Sequence, residues 1–194
     1  MKPLLAFGKN VFPQDVELPC YASTKLDGIR VCMVDGIAMS RNEKPIPNEW
    51  VQRCLRGLHG LDGEILLDDP TKDFNDQQSA FMSQHGKPNF TYHVFDYWDS
   101  NKPFADRLNK AADVSKAAAY VQLIEQHRIS RVDELILFYN SEVARGQEGL
   151  ICRKIDGKYK HGRSTLNQQL SLKLKPYCSA EAIVIGMEPL VDQS

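Results

Sequence analysis

Two short apolar runs, Ile29 to Val34 and Ile37 to Ser40, flank the dipeptide Asp35-Gly36. That pair is the strongest short-range signal for a two-residue hairpin of type I′, because both turn residues must take positive φ. An antiparallel strand pair therefore begins just after Lys25, and any fold for this chain must be built around it. Helical spacing appears next: Trp50, Val51, Cys54, Leu55 and Leu58 share one face, and Val114 to Gln126 reads as a second, alanine-rich helix. Further strands are expected at Glu64 to Leu67, Phe90 to Tyr97, Leu135 to Tyr139, Gly149 to Arg153, Ser171 to Lys175 and Glu181 to Met187. Strands and helices interleave without repeats, which points to an α+β chain.

With 194 residues and 42% hydrophobic content, the chain is sized for one large domain, or one domain and part of a second. No apolar run reaches the roughly 18 to 20 residues of a membrane span, and the first residues hold too short an apolar stretch for a signal peptide, so a cytoplasmic protein is expected. Five cysteines, Cys20, Cys32, Cys54, Cys152 and Cys178, contain no C-x-x-C and read as small hydrophobes. The five histidines show no metal-ligand spacing, and neither a G-x-S-x-G nor a Walker pattern occurs. Serine hydrolases and P-loop enzymes fall away.

Net charge is only −1, but the charge is unevenly placed. Gly60 to Asp106 carries a net −6, whereas Ala144 to Tyr177 carries a net +6. A basic stretch is as readily a solvated face as a surface for a polyanion, and its position relative to other residues decides between them.

The most specific signal is Lys25-Leu26-Asp27-Gly28-Ile29-Arg30. At roughly one chance in twenty for each of four fixed positions, K-x-D-G-x-R arises by accident in only about one of a thousand such chains. An amine nucleophile must be neutral to react, and a lysine partly desolvated on a strand-to-turn segment near other cations has its pKa lowered. Gly28 is expected to let the backbone approach phosphate closely. Glu148 sits within the basic segment, an arrangement that suits a divalent cation lying between a carboxylate and phosphates. Lys173 and Lys175, two residues apart on a strand, project to one face and can address one phosphate.

Lys25 to Arg30 resembles motif I of the covalent nucleotidyltransferases, specifically of ATP-dependent DNA ligases. Four further elements follow in the family's order: Asp62-Gly63-Glu64-Ile65, Val94-Phe95-Asp96-Tyr97, Glu148-Gly149-Leu150-Ile151, and Ser171-Leu172-Lys173-Leu174-Lys175-Pro176. The resemblance implies an α+β nucleotidyltransferase (ATP-grasp-like) fold of antiparallel sheets flanked by helices, with the nucleotide in a cleft. It implies ATP and Mg²⁺ as cofactors, nicked duplex DNA as partner, and a monomer in the cytoplasm, or in the host cytoplasm if the source is viral. Lys25 would carry AMP as a phosphoramidate, with Asp27 near the nick's terminal hydroxyl and Arg30 engaging the DNA ends. Arg41 would reach the nucleotide and the nick phosphate, Glu64 the ribose and Phe95 the base. Lys173 and Lys175 would hold the α-phosphate, and Glu148 and Asp96 the metal. Arg107 resembles a weaker family position and stays outside this set.

Residues 1–178 would form the adenylation domain, and 179–194 a linker and first strand leading toward an oligonucleotide-binding domain that several tens of further residues would be needed to build. The 24 residues before Lys25 leave no room for the domain that grips nicotinamide in NAD-dependent ligases. An RNA ligase, a capping guanylyltransferase or a non-catalytic nucleic-acid-binding remnant are the alternatives that share K-x-D-G.

Overall fold

The computed structural model describes residues 1–116 and 118–176, in which eleven strands and four α-helices form two lobes. The expected hairpin is present as β3 (Ile29–Val34) and β4 (Ile37–Ser40), with φ of 49° at Asp35 and 78° at Gly36. These belong to a five-stranded sheet in the order β4-β3-β5-β6-β7, where β5 is Leu61–Leu67, β6 is Phe90–Tyr97 and β7 is Val121–Leu123. One face of this sheet buries Ile29, Val31, Met33, Ile65, Tyr92 and Val94. Three helices serve this lobe: α1 (Glu49–Cys54), α2 (Phe74–Met82) and α3 (Phe104–Ser115). Asn48, wholly buried, caps α1 by accepting from Val51 N at 3.0 Å.

The second lobe is a four-stranded antiparallel sheet in the order β11-β9-β2-β8. Here β2 is Cys20–Thr24, β8 His127–Ile129, β9 Leu150–Lys154 and β11 Leu172–Leu174. Helix α4 (Val132–Ala144) contributes Leu135 to its core of Cys20, Ala22, Leu150, Cys152, Leu172 and Leu174. A short parallel pair, β1 (Leu4–Leu5) and β10 (Gly162–Arg163), lies beside the two sheets.

The expected helix through Leu58 is shorter, since α1 ends at Cys54, and two elements differ in type from the sequence expectation. Val114 to Gln126 is not a helix: α3 begins at Phe104 behind Pro103, buries Phe104, Arg107, Ala111 and Ser115 at helical spacing, and ends at Ser115. The alternating residues after it form β7, which pairs in parallel with β6, so the larger sheet is mixed. Leu135 to Tyr139 is not a strand but the middle of α4. A short apolar run fits either state. Acids at Asp133 and Glu134 in the first turn favour the helix, and Leu137 is left 70% exposed. The expected strand at Glu181 to Met187, like the boundary at 178, lies outside the described residues.

The topology decides where chemistry sits. β2 ends at Thr24 in the smaller sheet and β3 starts at Ile29 in the larger one, so Lys25, Leu26, Asp27 and Gly28 make the crossing between lobes. A Cβ on Gly28 would stand 2.6 Å from Leu66 Cδ1 and 2.7 Å from Ile65 O. Gly28 thus permits a close approach to β5.

Candidate active site

A cleft of about 250 Å³ opens between the two sheets. Lys25, Arg30, Arg41, Glu64, Phe95, Lys173 and Lys175 all line it, although they come from five separate stretches of chain. Asp27 lines instead an adjoining groove and a recess, both of which also touch Lys25. Glu148 lies on that recess, against Lys25.

Lys25 extends β2 by donating its backbone N–H to Gly149 O at 2.8 Å. Its strand is tied down from behind by Thr24 Oγ1, which donates to Glu142 Oε2 of α4 at 2.6 Å. The Lys25 ammonium contacts the Glu148 carboxylate, and Lys175 contacts the other oxygen of the same group. One acid thereby holds two lysines. Gly149 makes the convergence possible: its φ is 119°, and a Cβ there would collide with Leu174 O on β11.

Burial pushes the Lys25 amine below the ordinary lysine range; Glu64 and Asp27 pull against this and Arg30 adds to it. Lys173 and Lys175 are also lowered, first by partial desolvation and then by neighbouring cations, Lys25 among them. Glu64 goes the other way, its carboxyl raised by burial while Arg30 and Lys25 draw it down. It also accepts from Gly28 N at 3.4 Å.

These directions set a pH dependence for any reaction of the Lys25 amine. The neutral fraction of Lys25 grows as pH rises, whereas Lys173 and Lys175 lose their charges over a neighbouring range. The single-turnover rate of adduct formation should rise with pH and then fall, with both limbs below the ordinary lysine value of about 10.4. Rapid-quench measurements between pH 6 and 11 check this, and a rate still climbing past that value would contradict the shift.

Arg30 is less exposed than the expected DNA-facing role suggested. Its Nε and Nη2 fork onto Asp62 at 2.6 and 2.8 Å, Nη2 also donates to Leu4 O at 2.9 Å, and its Cζ stands 4.6 Å from the Phe95 ring centroid. Asp62 is fully buried, and its acid is held below the usual range: burial raises it, but Arg30, Tyr159 and Cys32 outweigh that. Tyr159 donates to Asp62 at 2.7 Å and accepts from Leu4 N at 2.9 Å, which ties β1 to the cleft floor.

Asp96 corrects the expected metal pair. It is 1% exposed and does not line the cleft, and Arg107 donates to both its oxygens at 2.8 and 3.1 Å. Sequence reasoning also passed over Ser23, Arg153 and Arg163, which line the cleft. The alternation of β2 and β9 carried a signal for two of them, since Ser23 shares a strand face with Lys25, and Arg153 with Gly149.

Two sheets with a lysine of lowered pKa on their crossing and a ring of cations around the cleft between them are the arrangement of a nucleotidyltransferase. The family model of the ATP-dependent DNA ligase domain matches residues 10–175, and the chain belongs to that family as its catalytic adenylation domain. Two structures of the Chlorella virus DNA ligase-adenylate are similar, each 35% identical with a TM-score of 0.80. One covers 90% of this chain and 67% of that one, the other 98% and 74%. The ATP complex of the bacteriophage T7 ligase shares the fold at 18% identity and a TM-score of 0.66, over 90% of this chain and 68% of that one. Among the described residues, no helix is long and apolar enough to cross a membrane.

Proposed function

We propose that Lys25 is the residue that carries AMP and that the cleft orients one nucleotide for three successive transfers. The Lys25 amine attacks the α-phosphorus of ATP, a P–N bond forms, the bond to pyrophosphate breaks, and the amine loses its proton. AMP then passes to the 5′-phosphate of a nick, freeing Lys25. The 3′-hydroxyl displaces AMP and closes the phosphodiester. The observation that carries this reading is the placement of Lys25 on the crossing between lobes, with Arg41, Lys173 and Lys175 converging on the same cleft.

Glu64 holds the ribose hydroxyls and Phe95 the base, while Arg41, Lys173 and Lys175 balance the phosphate charge. At about 4 Å and an effective dielectric near 20, each cation contributes on the order of 4 kcal/mol of attraction before desolvation is subtracted. Asp27, exposed on the groove beside Lys25, faces the side where DNA ends would lie. Nicked duplex DNA is the partner, met by a monomer in the cytoplasm.

Glu148 fits a Mg²⁺ that arrives with phosphate oxygens and needs one or two carboxylates. It is partly exposed and adjacent to the reacting amine. No group of three or more His, Cys, Asp or Glu forms a closed metal cage among the described residues. When bound, Mg²⁺ would draw negative charge from the phosphates during transfer. Glu148 would then exchange a lysine partner for the cation.

Incubation with α-labelled ATP and Mg²⁺ should leave a label on the protein that acid removes and alkali does not, as a P–N bond requires. γ-Labelled ATP should leave none, α-labelled GTP far less, and EDTA should suppress the adduct. Label from the γ-position, or an adduct indifferent to EDTA, would overturn the reading.

A further inference from the structure

Arg153 lies on β9 four residues beyond Gly149, whose carbonyl marks the level of Lys25. At roughly 3.3 Å per residue it sits about 13 Å deeper in the cleft, toward the base end of a nucleotide whose α-phosphate is at Lys25. It is 5% exposed and lines the cleft. Among the described residues no carboxylate pairs with it, because Asp62 is forked by Arg30 and Asp96 by Arg107. Its Nε is buried without a hydrogen-bond partner, and burial holds the guanidinium below its ordinary range. A site that required only packing would be more stable with an apolar side chain.

Arg153 lies against two rings, Phe104 at 5.3 Å from Cζ to the centroid and, closer, Phe95. Its Nη1 donates to Phe95 O at 3.2 Å, and its Cζ stands 4.5 Å from the ring centroid. Phe95 needs such support because Val94 and Asp96 of β6 pair with the adjacent residues Gly63 and Asp62 of β5. Phe95 is therefore the extra residue of a β-bulge, without a cross-strand partner. The bulge turns its ring into the cleft but leaves its backbone outside the ladder.

We propose that Arg153 is a positioning residue for the nucleobase end of the cleft, acting on ATP through Phe95 by holding its carbonyl and its ring. This rests on the reading of Phe95 as the platform for the base. The test is the ATP dependence of lysyl-AMP formation in the full chain carrying Arg153→Met, Phe95→Ala or both. Arg153→Met should raise KM for ATP about tenfold, keep the saturated rate within about threefold, and leave the melting temperature unchanged or higher. The double variant should be no weaker than Phe95→Ala alone, as expected when one residue works through the other.

Losses that add in the double variant would place Arg153 on the nucleotide itself and overturn the inference. So would a melting temperature and saturated rate that fall together, the mark of a structural role. Arg153→Lys retains the buried charge but not the planar fork, and serves if the methionine variant does not fold. A KM raised a few-fold is expected of it, and an unchanged KM would overturn the proposal. Phe95→Ala with normal KM removes the platform reading and this inference together. A weak Phe95→Ala beside a normal Arg153→Met removes the inference alone.

Discussion

Lys25→Ala should abolish the AMP adduct: with α-labelled ATP and Mg²⁺ the variant is expected to incorporate no label above background, at least a thousandfold below the unaltered chain. The size of the effect follows from the chemistry, since removing a covalent nucleophile leaves no other group to form the intermediate. The cleft offers two further lysines, Lys173 and Lys175, both with lowered amines. Neither extends from the crossing between the sheets, where Lys25 stands. Peptide mapping of the labelled chain should place AMP on the Lys25 peptide. An adduct of normal yield in Lys25→Ala would end the assignment. Circular dichroism should show the variant folded, because Lys25 is partly exposed and its partner Glu148 keeps Lys175.

The largest expected effect on stability is at Arg107, far from any reacting atom. This guanidinium is 1% exposed and spends its donors on Asp96, Lys102 O at 2.7 Å and Gly157 O at 2.8 Å. It thus joins α3 and β6 of the larger lobe to the turn after β9 in the smaller one. Arg107→Ala leaves Asp96 buried without its cation and two carbonyls without a donor. Breaking a buried pair from one side costs about 3–5 kcal/mol, or a fall in melting temperature on the order of 10 °C for a chain of this size. Thermal and urea unfolding test this, and a variant within about 2 °C of the parent would show that the pair carries no such weight. Asp96→Leu with Arg107→Met should recover part of the loss, because an apolar pair leaves no uncompensated charge.

Arg107 illustrates how far the sequence reaches. It was visible only as a weak family position after Phe95-Asp96, and Asp96 beside it read as a metal ligand. Both are residue types that occur at catalytic sites and in buried ion pairs alike. Only the packing of α3 against β6 brings the two within 2.8 Å and takes the carboxylate away from the cleft.

The family, the α+β class and the order of the site segments were legible because they rest on local chemistry. K-x-D-G-x-R, the spaced pair of Lys173 in β11 and Lys175 just beyond it, and the Asp35-Gly36 turn each depend on neighbours within a few residues, and local constraints leave a readable pattern. Helix against strand at Leu135–Tyr139 was not legible, since a five-residue apolar run satisfies either period until its burial is known. The end of α3 and the parallel β7 were decided by the open edge of β6, a partner distant in the chain. Above all, the tertiary structure decided the environment of each charge. Sequence distance does not tell that Glu148 meets both Lys25 and Lys175, that Arg30 is folded onto Asp62, or that Arg153 is a buried cation with no carboxylate partner among the described residues. Charges acquire their energies from burial and from groups a few ångströms away, and those are set by how the two sheets close on each other.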